Sequence, residues 1–145
     1  MKVDPDKLRV DEILEINRRI AECGVPYTGR EEYEVRVDKV EELVKNTPVR
    51  SPFEIAAYYL KNISLLQPFP DANHRTALIA AEIYLNRKGY DLAYTAEEAD
   101  ALRNRMLELQ WKIYGTYEEM SAEVLREPDN ELFRLCLQFI KEHLV

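Results

Sequence analysis

The residues whose types and spacing suggest chemistry lie in one short segment, Gln67–Thr76, which reads Gln-Pro-Phe-Pro-Asp-Ala-Asn-His-Arg-Thr. Pro68 and Pro70 exclude a regular helix from its first half and stiffen that half as a loop. A helix is predicted to begin at Asn73, because asparagine is a favoured residue at helix starts. The segment is therefore predicted to be a rigid loop that leads directly into a helix.

A helix start of this kind can bind an anion. Its first turn leaves backbone N–H groups without intrahelical partners and carries the positive end of the helix dipole. Arg75 adds a planar guanidinium suited to phosphate oxygens, and His74 and Thr76 are further donors. Asp71 is an oxygen ligand that can hold Mg²⁺ against a bound polyphosphate. These residue types favour a phosphate or nucleotide site.

The same residues also have a purely structural interpretation. Aspartate and asparagine precede many helices because they cap them, and Arg75 could pair with an acidic side chain on a neighbouring helix. Phe69 is predicted to be a core residue under both interpretations. The chain has only four glycines, so it lacks a glycine-rich phosphate loop. Spacing alone leaves both interpretations open.

The elements that must position this segment are predicted to be helices. The apolar periodicity and the start and stop signals predict helices over Asp11–Cys23, Lys39–Asn46 with Asp38 as its cap, Ser51 to the loop, Asn73–Lys88, Thr95–Tyr114, Thr116 to about Arg126, and Asp129 to the end. Ser51–Glu54 and Thr95–Glu98 have the form of capping boxes. The alternation in Glu32–Val37 predicts a strand, hence a small β-hairpin or flap near residues 24–37. We expect one all-α domain, residues 1–145, of about six to seven helices.

Composition limits the classes of function. The chain has 145 residues, 46% of them hydrophobic, which is enough for one core. Its formal charge of −7 argues against nucleic acid as a partner. No run approaches the roughly 20 apolar residues of a membrane span, and the first residues lack the apolar run of a signal peptide. We therefore expect no membrane association and a cytoplasmic location, with Cys23 and Cys136 as reduced core thiols and His143 as a surface residue near a helix end.

The segment resembles the signature of the Fic/Doc family, which runs His-x-Phe-x-(Asp/Glu)-(Gly/Ala)-Asn-(Gly/Lys)-Arg. The residues in register are Phe69, Asp71, Ala72, Asn73 and Arg75, and Thr76-Ala77-Leu78 continues as in the Doc, or death-on-curing, branch. The resemblance extends over roughly residues 8–125. It includes a capped helix before the motif and the helix end around Ile83–Leu92 after it. The resemblance implies a compact helical domain of the Fic type.

The resemblance also implies an activity and its ligands. Members of the family transfer AMP or another phosphate-containing group, or in the Doc branch a phosphoryl group, to a protein hydroxyl. Asp71 would hold Mg²⁺ against the phosphates of ATP, and Ala72, Asn73 and Arg75 would form the anion cradle. His74 replaces the usual glycine or lysine of that cradle. Leu78 stands where AMP-transferring members usually carry a second arginine, so phosphoryl transfer is the favoured activity.

Gln67 departs from the motif, because it stands where the family has the histidine that deprotonates the target hydroxyl. A carboxamide cannot act as a general base, and losing one typically costs about 10²- to 10⁴-fold in rate. His74 is a conceivable substitute. Two hypotheses remain open at this point: a Doc-like transferase with weakened or altered activity, and a catalytically inactive binding or regulatory module, for example one half of a toxin–antitoxin-type pair.

The resemblance further implies protein partners. In the family, a flap near the site aligns the target by pairing with an extended segment of it, and Tyr33–Val37 is the matching stretch here. The chain has no convincing (Ser/Thr)-x-x-x-Glu-(Gly/Asn) segment of the kind that inhibits some members from within. Restraint would then come from a separate, antitoxin-like protein.

Overall fold

The computed structural model describes residues 4–22 and 35–145, and these residues form an all-helical fold. The elements in chain order are α1 (Val10–Glu22), α2 (Val37–Lys45), α3 (Pro52–Leu66), α4 (Asn73–Arg87), α5 (Ala96–Tyr114), a 3-10 helix (Ala122–Arg126) and α6 (Glu131–Glu142). The described residues contain no strand, and an isolated bridge joins Leu92 to Leu144. The predicted all-α class is confirmed.

The central element is α3, which is buried along most of its length. It packs against α4 and α6 most extensively, and α1 and α2 cover other sides of the core. Its two tyrosines are buried with their hydroxyls satisfied: Tyr58 donates to Leu43 O at 2.6 Å, and Tyr59 accepts from Leu8 N–H at 2.9 Å. Because buried polar groups need partners, these bonds fix the position of α3, whose C-terminal end leads into the Gln67–Thr76 segment.

Local capping signals define the starts of α3 and α5 as predicted. Ser51 Oγ accepts from Glu54 N–H at 3.3 Å, and the Glu54 carboxylate accepts in return from Ser51 N–H at 3.4 Å. Thr95 and Glu98 form the same reciprocal pair at the start of α5, at 3.1 and 2.8 Å. Gly115 closes α5 at φ 72°, a left-handed conformation that glycine adopts without a steric penalty. Both capping boxes are confirmed.

The predicted helix from Thr116 is wrong for its first half. Thr116 Oγ1 accepts from Glu118 N–H at 3.0 Å and forms a local turn, and only Ala122–Arg126 is helical, as a 3-10 turn. Met120 N–H donates to Leu65 O at 2.9 Å. The Lys39 ammonium donates to both Leu66 O and Met120 O at 2.9 Å. These tertiary bonds hold the chain extended along the end of α3.

The predicted flap near residues 24–37 falls mostly outside the described residues, and so does Cys23. Of the predicted strand Tyr33–Val37, the described part does not form a strand: Val37 is the first residue of α2, and Asp38 therefore lies inside the helix and does not cap it. Arg36 N–H donates to Pro68 O at 2.7 Å. The end of this stretch thus lies against the loop that follows α3.

The prediction for His143 needs correction, whereas Cys136 behaves as predicted. His143 is the residue that ends α6, but its side chain is only 15% exposed, because it stacks on Phe139 and bonds Glu98 at 2.8 Å. Cys136 is a buried free thiol, and burial raises its pKa to about 12. Among the described helices, none has both the length and the apolar character needed to cross a bilayer.

Candidate functional site

The chain turns from α3 into α4 through two residues with left-handed backbone. Gln67, which ends α3, has φ 45° and ψ 58°, and Ala72, which precedes α4, has φ 60° and ψ 29°. A Cβ in this region costs roughly 1–2 kcal/mol. Such strain is typical of segments whose conformation is fixed by function and supported by the surrounding structure.

Asn73 supplies much of that support. Its side chain accepts from Phe69 N–H at 3.0 Å and donates to Phe69 O at 2.9 Å, and so closes the loop on both sides. Phe69 itself is 1% exposed and anchors the loop in the core, as predicted. Asn73 is therefore not the helix cap that the sequence predicts. It is the first residue of α4, and its contribution to an anion cradle would come from its backbone N–H.

The first turn of α4 has free donors. Thr76 N–H begins the helical ladder by bonding Ala72 O at 2.9 Å. The backbone N–H groups of Asn73, His74 and Arg75 form no hydrogen bond with any residue in the ranges 4–22 and 35–145. Three N–H groups at the positive end of a helix are an arrangement that attracts phosphate or carboxylate groups.

Arg75 is exposed and, within the described part of the chain, has neither a hydrogen bond nor an ion pair. Arg87, at the other end of α4, is by contrast paired with Glu12. The structural interpretation of Arg75, a salt bridge to a neighbouring helix, finds no support among the described residues. The guanidinium is available to an anion beside the three N–H groups.

One carboxylate oxygen of Asp71 has no hydrogen-bond partner among the described residues. Its Oδ1 accepts from Ala72 N–H at 2.7 Å, and its backbone carbonyl accepts from Asn17 Nδ2 at 3.0 Å, which ties the loop to α1. No group of three or more metal-ligating side chains occurs in the described ranges. Mg²⁺ commonly binds through one or two carboxylates, water and substrate phosphates. Asp71 fits such a phosphate-bridged ion and does not fit a site made by protein ligands alone.

His74 differs most from its expected role. Burial lowers the pKa of its imidazole to about 4, although a hydrogen bond with the backbone of Ala99 on α5 raises it, and the charge of Arg103 lowers it further. Its Nε2 is buried and has no hydrogen-bond partner in the described structure. The ring is therefore neutral at pH 7 and lies toward α5, which argues against a protonated His74 as a phosphate donor.

Thr76 lies outside the site formed by the other predicted residues. Its side chain is fully buried, and its hydroxyl accepts from Asn17 Nδ2 at 3.1 Å. Thr76 thus joins α4 to α1. The sequence places it correctly in the first turn of a helix, but the residue type alone does not indicate which face of that helix it occupies.

A cavity of about 880 Å³ lies beside the start of α4. It is lined by six of the seven predicted site residues: Gln67, Asp71, Ala72, Asn73, His74 and Arg75. Volumes of about 300–1,000 Å³ are typical of ligand pockets. Within the cavity wall, the Gln67 side chain donates from Nε2 to Tyr117 O at 3.2 Å, which joins the end of α3 to the segment after α5.

The part of the cavity wall supplied by α5 and the segment after it was not predicted. It includes Asp100 and Arg103 of α5 and Tyr117. Tyr117 stacks on Trp111, with ring centroids 5.1 Å apart and planes at 25°. The helical spacing of Asp100 and Arg103 indicates that they share a face of α5. Nothing local in the sequence indicates that α5 returns to the start of α4.

Comparison with protein families identifies the family of this chain. The sequence model of the Fic/DOC family matches residues 7–85, which is more than half of the chain. The chain belongs to the Fic/DOC family. The matched range contains α1 to α3, the whole Gln67–Thr76 segment and α4 as far as Leu85, and it ends before α5. Comparisons with curated proteins and with solved structures return no match. Fic/DOC domains generally transfer AMP or phosphate to proteins.

Proposed function

We propose that this Fic/DOC domain binds a nucleotide, with ATP and Mg²⁺ as the ligands, at the start of α4. In this proposal it is a Doc-like enzyme that transfers a phosphoryl group to a protein hydroxyl, at a rate limited by Gln67. The observation that carries the proposal is the position of Arg75. Arg75 lines a cavity of about 880 Å³ together with Asn73 and His74. Among the residues that the structure describes, its guanidinium and the three backbone N–H groups have no partner.

Each residue then has a defined part. The N–H groups of Asn73 to Arg75 and the Arg75 guanidinium would bind phosphate oxygens. The side chain of Ala72 is only a methyl group, so it would not obstruct the approach of the phosphates. Asp71 would hold Mg²⁺ through the carboxylate oxygen that has no partner among the described residues, and the metal would neutralise phosphate charge when bound. Leu78 lines the same cavity at the position of the family's second arginine, which favours phosphoryl over AMP transfer.

The protein target would approach past the stretch that precedes α2. Val35 and Val37 are each 40% exposed, and Arg36 between them bonds the Pro68 carbonyl at 2.7 Å. Apolar side chains thus lie exposed beside the loop that carries Asp71. An antitoxin-like protein that restrains the enzyme would compete for this surface.

A second function is favoured by one specific contact. The amide of Gln67 donates to the Tyr117 carbonyl, so the side chain at the catalytic position has a structural partner and no basic nitrogen. A non-catalytic module that binds a nucleotide and a protein partner would need the cradle but no base. Both functions require nucleotide binding, which is therefore the first experiment.

Calorimetric titration of the protein with ATP and Mg²⁺ tests the cradle. Arg75→Ala should weaken binding by about 1.5–3 kcal/mol, the usual contribution of a hydrogen bond to a charged group. Arg19→Ala is the matched control, because Arg19 is exposed on α1 and pairs with Glu15. The control should bind ATP like the wild type. Equal affinity of the wild type and Arg75→Ala would contradict the site.

A further inference from the structure

A second arginine faces the cavity from a different helix. Arg103 of α5 lines the cavity and is exposed. It forms no ion pair within the described ranges, although Asp100 precedes it by three residues on the same helix. Arg105, two residues later, shows the usual alternative for an arginine on this helix: it pairs with Glu108 at 2.8 Å.

The charge of Arg103 has an electrostatic effect on His74 in the first turn of α4. Its positive charge is one of the causes that lower the pKa of His74, after the larger effect of burial. Since His74 lies between Asn73 and Arg75, the Arg103 charge is within interaction range of the helix start. The cavity therefore receives positive charge from both walls: from Arg75 and the α4 dipole on one side, and from Arg103 on the other.

Two arginines that line one cavity are unfavourable in electrostatic energy when no anion is bound. Like charges that line one cavity repel each other, and neither guanidinium forms an ion pair among the described residues. Three carboxylates also line the cavity: Asp71, which is the proposed Mg²⁺ ligand, Glu108, which pairs with Arg105, and Asp100. None of them pairs with Arg75 or Arg103 in the described structure. A ligand that carries several negative charges across the cavity would compensate both walls at once, whereas a single phosphate at the α4 start would compensate one.

We propose that Arg103 is a second anion-binding residue, and that the cavity thereby selects ligands with two or more linked phosphate groups over ligands with one. This proposal rests on the proposed function. Arg103 lies outside residues 7–85, so the family match does not assign it a role. The chemical class that the two walls fit is a nucleoside di- or triphosphate.

The test compares the affinities of AMP and ATP, with Mg²⁺ present, for the wild type and three variants by calorimetry. Arg103→Gln should lose about tenfold or more in ATP affinity, since a charged hydrogen bond is lost, and should bind AMP within about twofold of the wild type. Arg75→Gln should lose affinity for both nucleotides. Arg105→Gln, the control on the same helix, should change neither affinity, because Arg105 is exposed and paired with Glu108.

The results separate this proposal from the one on which it rests. If Arg75→Gln loses ATP affinity and Arg103→Gln does not, Arg103 is no ligand and only the second proposal is overturned. If Arg103→Gln weakens AMP and ATP equally, the arginine contributes to binding but not to selection by phosphate number, which also overturns the proposal as stated. Failure of the wild type to bind either nucleotide would overturn both proposals.

Discussion

Gln67 occupies the position on which the chemistry proposed for this domain depends. Its amide cannot take a proton from an attacking hydroxyl at neutral pH, and its Nε2 bonds the Tyr117 carbonyl at 3.2 Å. The backbone at this position is left-handed, a region in which histidine is several-fold enriched among non-glycine residues. The position can therefore accept an imidazole without added backbone strain, and restoring one is a clean experiment.

We expect Gln67→His to label a protein substrate, or itself, at least about tenfold faster than the wild type, a floor below the usual effect of a general base. The measurement uses ATP labelled on the γ-phosphate and, separately, on the α-phosphate, with Mg²⁺. Incorporation of the γ label alone would identify phosphoryl transfer, and incorporation of the α label would identify AMP transfer. Asp71→Ala in the Gln67→His background should abolish the gain, because the metal would be lost.

Gln67→Asn is the matched control for this prediction. It keeps a carboxamide and tolerates left-handed backbone, but it shortens the reach to Tyr117, so any effect of losing that contact appears without a new base. No gain from Gln67→His, despite measurable ATP binding, would favour the non-catalytic module. Strong activity of the unmutated protein would show that another group accepts the proton.

At the level of elements, the loop between α3 and α4 determines where the proposed anion cradle lies. Asn73 closes the loop on Phe69, Asn17 ties Asp71 to α1, and Arg36 bonds Pro68. These three contacts come from different parts of the chain. They hold Ala72 in a left-handed conformation that glycine would adopt at less cost.

Ala72→Gly should therefore raise the free energy of unfolding, by about 0.5–1 kcal/mol, since relief of left-handed strain exceeds the added entropy of glycine in the unfolded chain. Urea unfolding measures the change. Ala101→Gly is the control with the opposite sign: Ala101 is exposed within α5, and glycine there should cost about 1 kcal/mol. A loss of stability in Ala72→Gly comparable to that of the control would contradict the argument from strain.

The elements also show which predictions the sequence allows. Ser51 and Thr95 could be assigned as caps, because each bonds a residue three positions away. Phe69, Asp71 and Arg75 could be recognised as parts of a site, because the motif is local. The role of Asn73 as a loop clamp, the extended path of residues 116–121 and the α5 wall all depend on tertiary contacts, for which a single sequence gives no direct signal.

For the molecule as a whole, protonation of the two histidines has opposite effects on the stability of the fold. His74 has its pKa lowered to about 4 by burial, so the folded state resists its protonation. For His143, desolvation lowers the pKa, but hydrogen bonds to Phe139 O and Glu98 outweigh it and raise the net value. Protonation of His143 therefore favours the folded state. Its contribution is complete below the unfolded pKa and is lost as pH rises through the folded one.

His74 should make the protein sensitive to acid. Its contribution to stability is present above the unfolded pKa of about 6.5 and is lost as pH falls toward 4, which amounts to about 2 kcal/mol between pH 7 and pH 5. Urea unfolding at these two pH values should therefore show a smaller loss for His74→Phe than for the wild type, by about that amount. Other titrating groups are common to both proteins and cancel in the difference.

His143→Gln is the control, because its effect on the loss of stability between pH 7 and pH 5 should have the opposite sign. It removes a group whose protonation stabilises the fold, so the variant should lose more stability than the wild type between pH 7 and pH 5. Equal losses in the wild type and His74→Phe would mean that the His74 imidazole is protonated in the folded protein without penalty.

The stack of Trp111 on Tyr117 has a consequence of a different kind. Trp111 is the only tryptophan in the chain, and it is 54% exposed. Its stacking partner Tyr117 lines the cavity. A molecule that enters the cavity and displaces or covers the Tyr117 ring changes the surroundings of the single indole. The protein thus carries an intrinsic fluorophore next to the proposed binding site, and its emission should report occupancy of the cavity without a label.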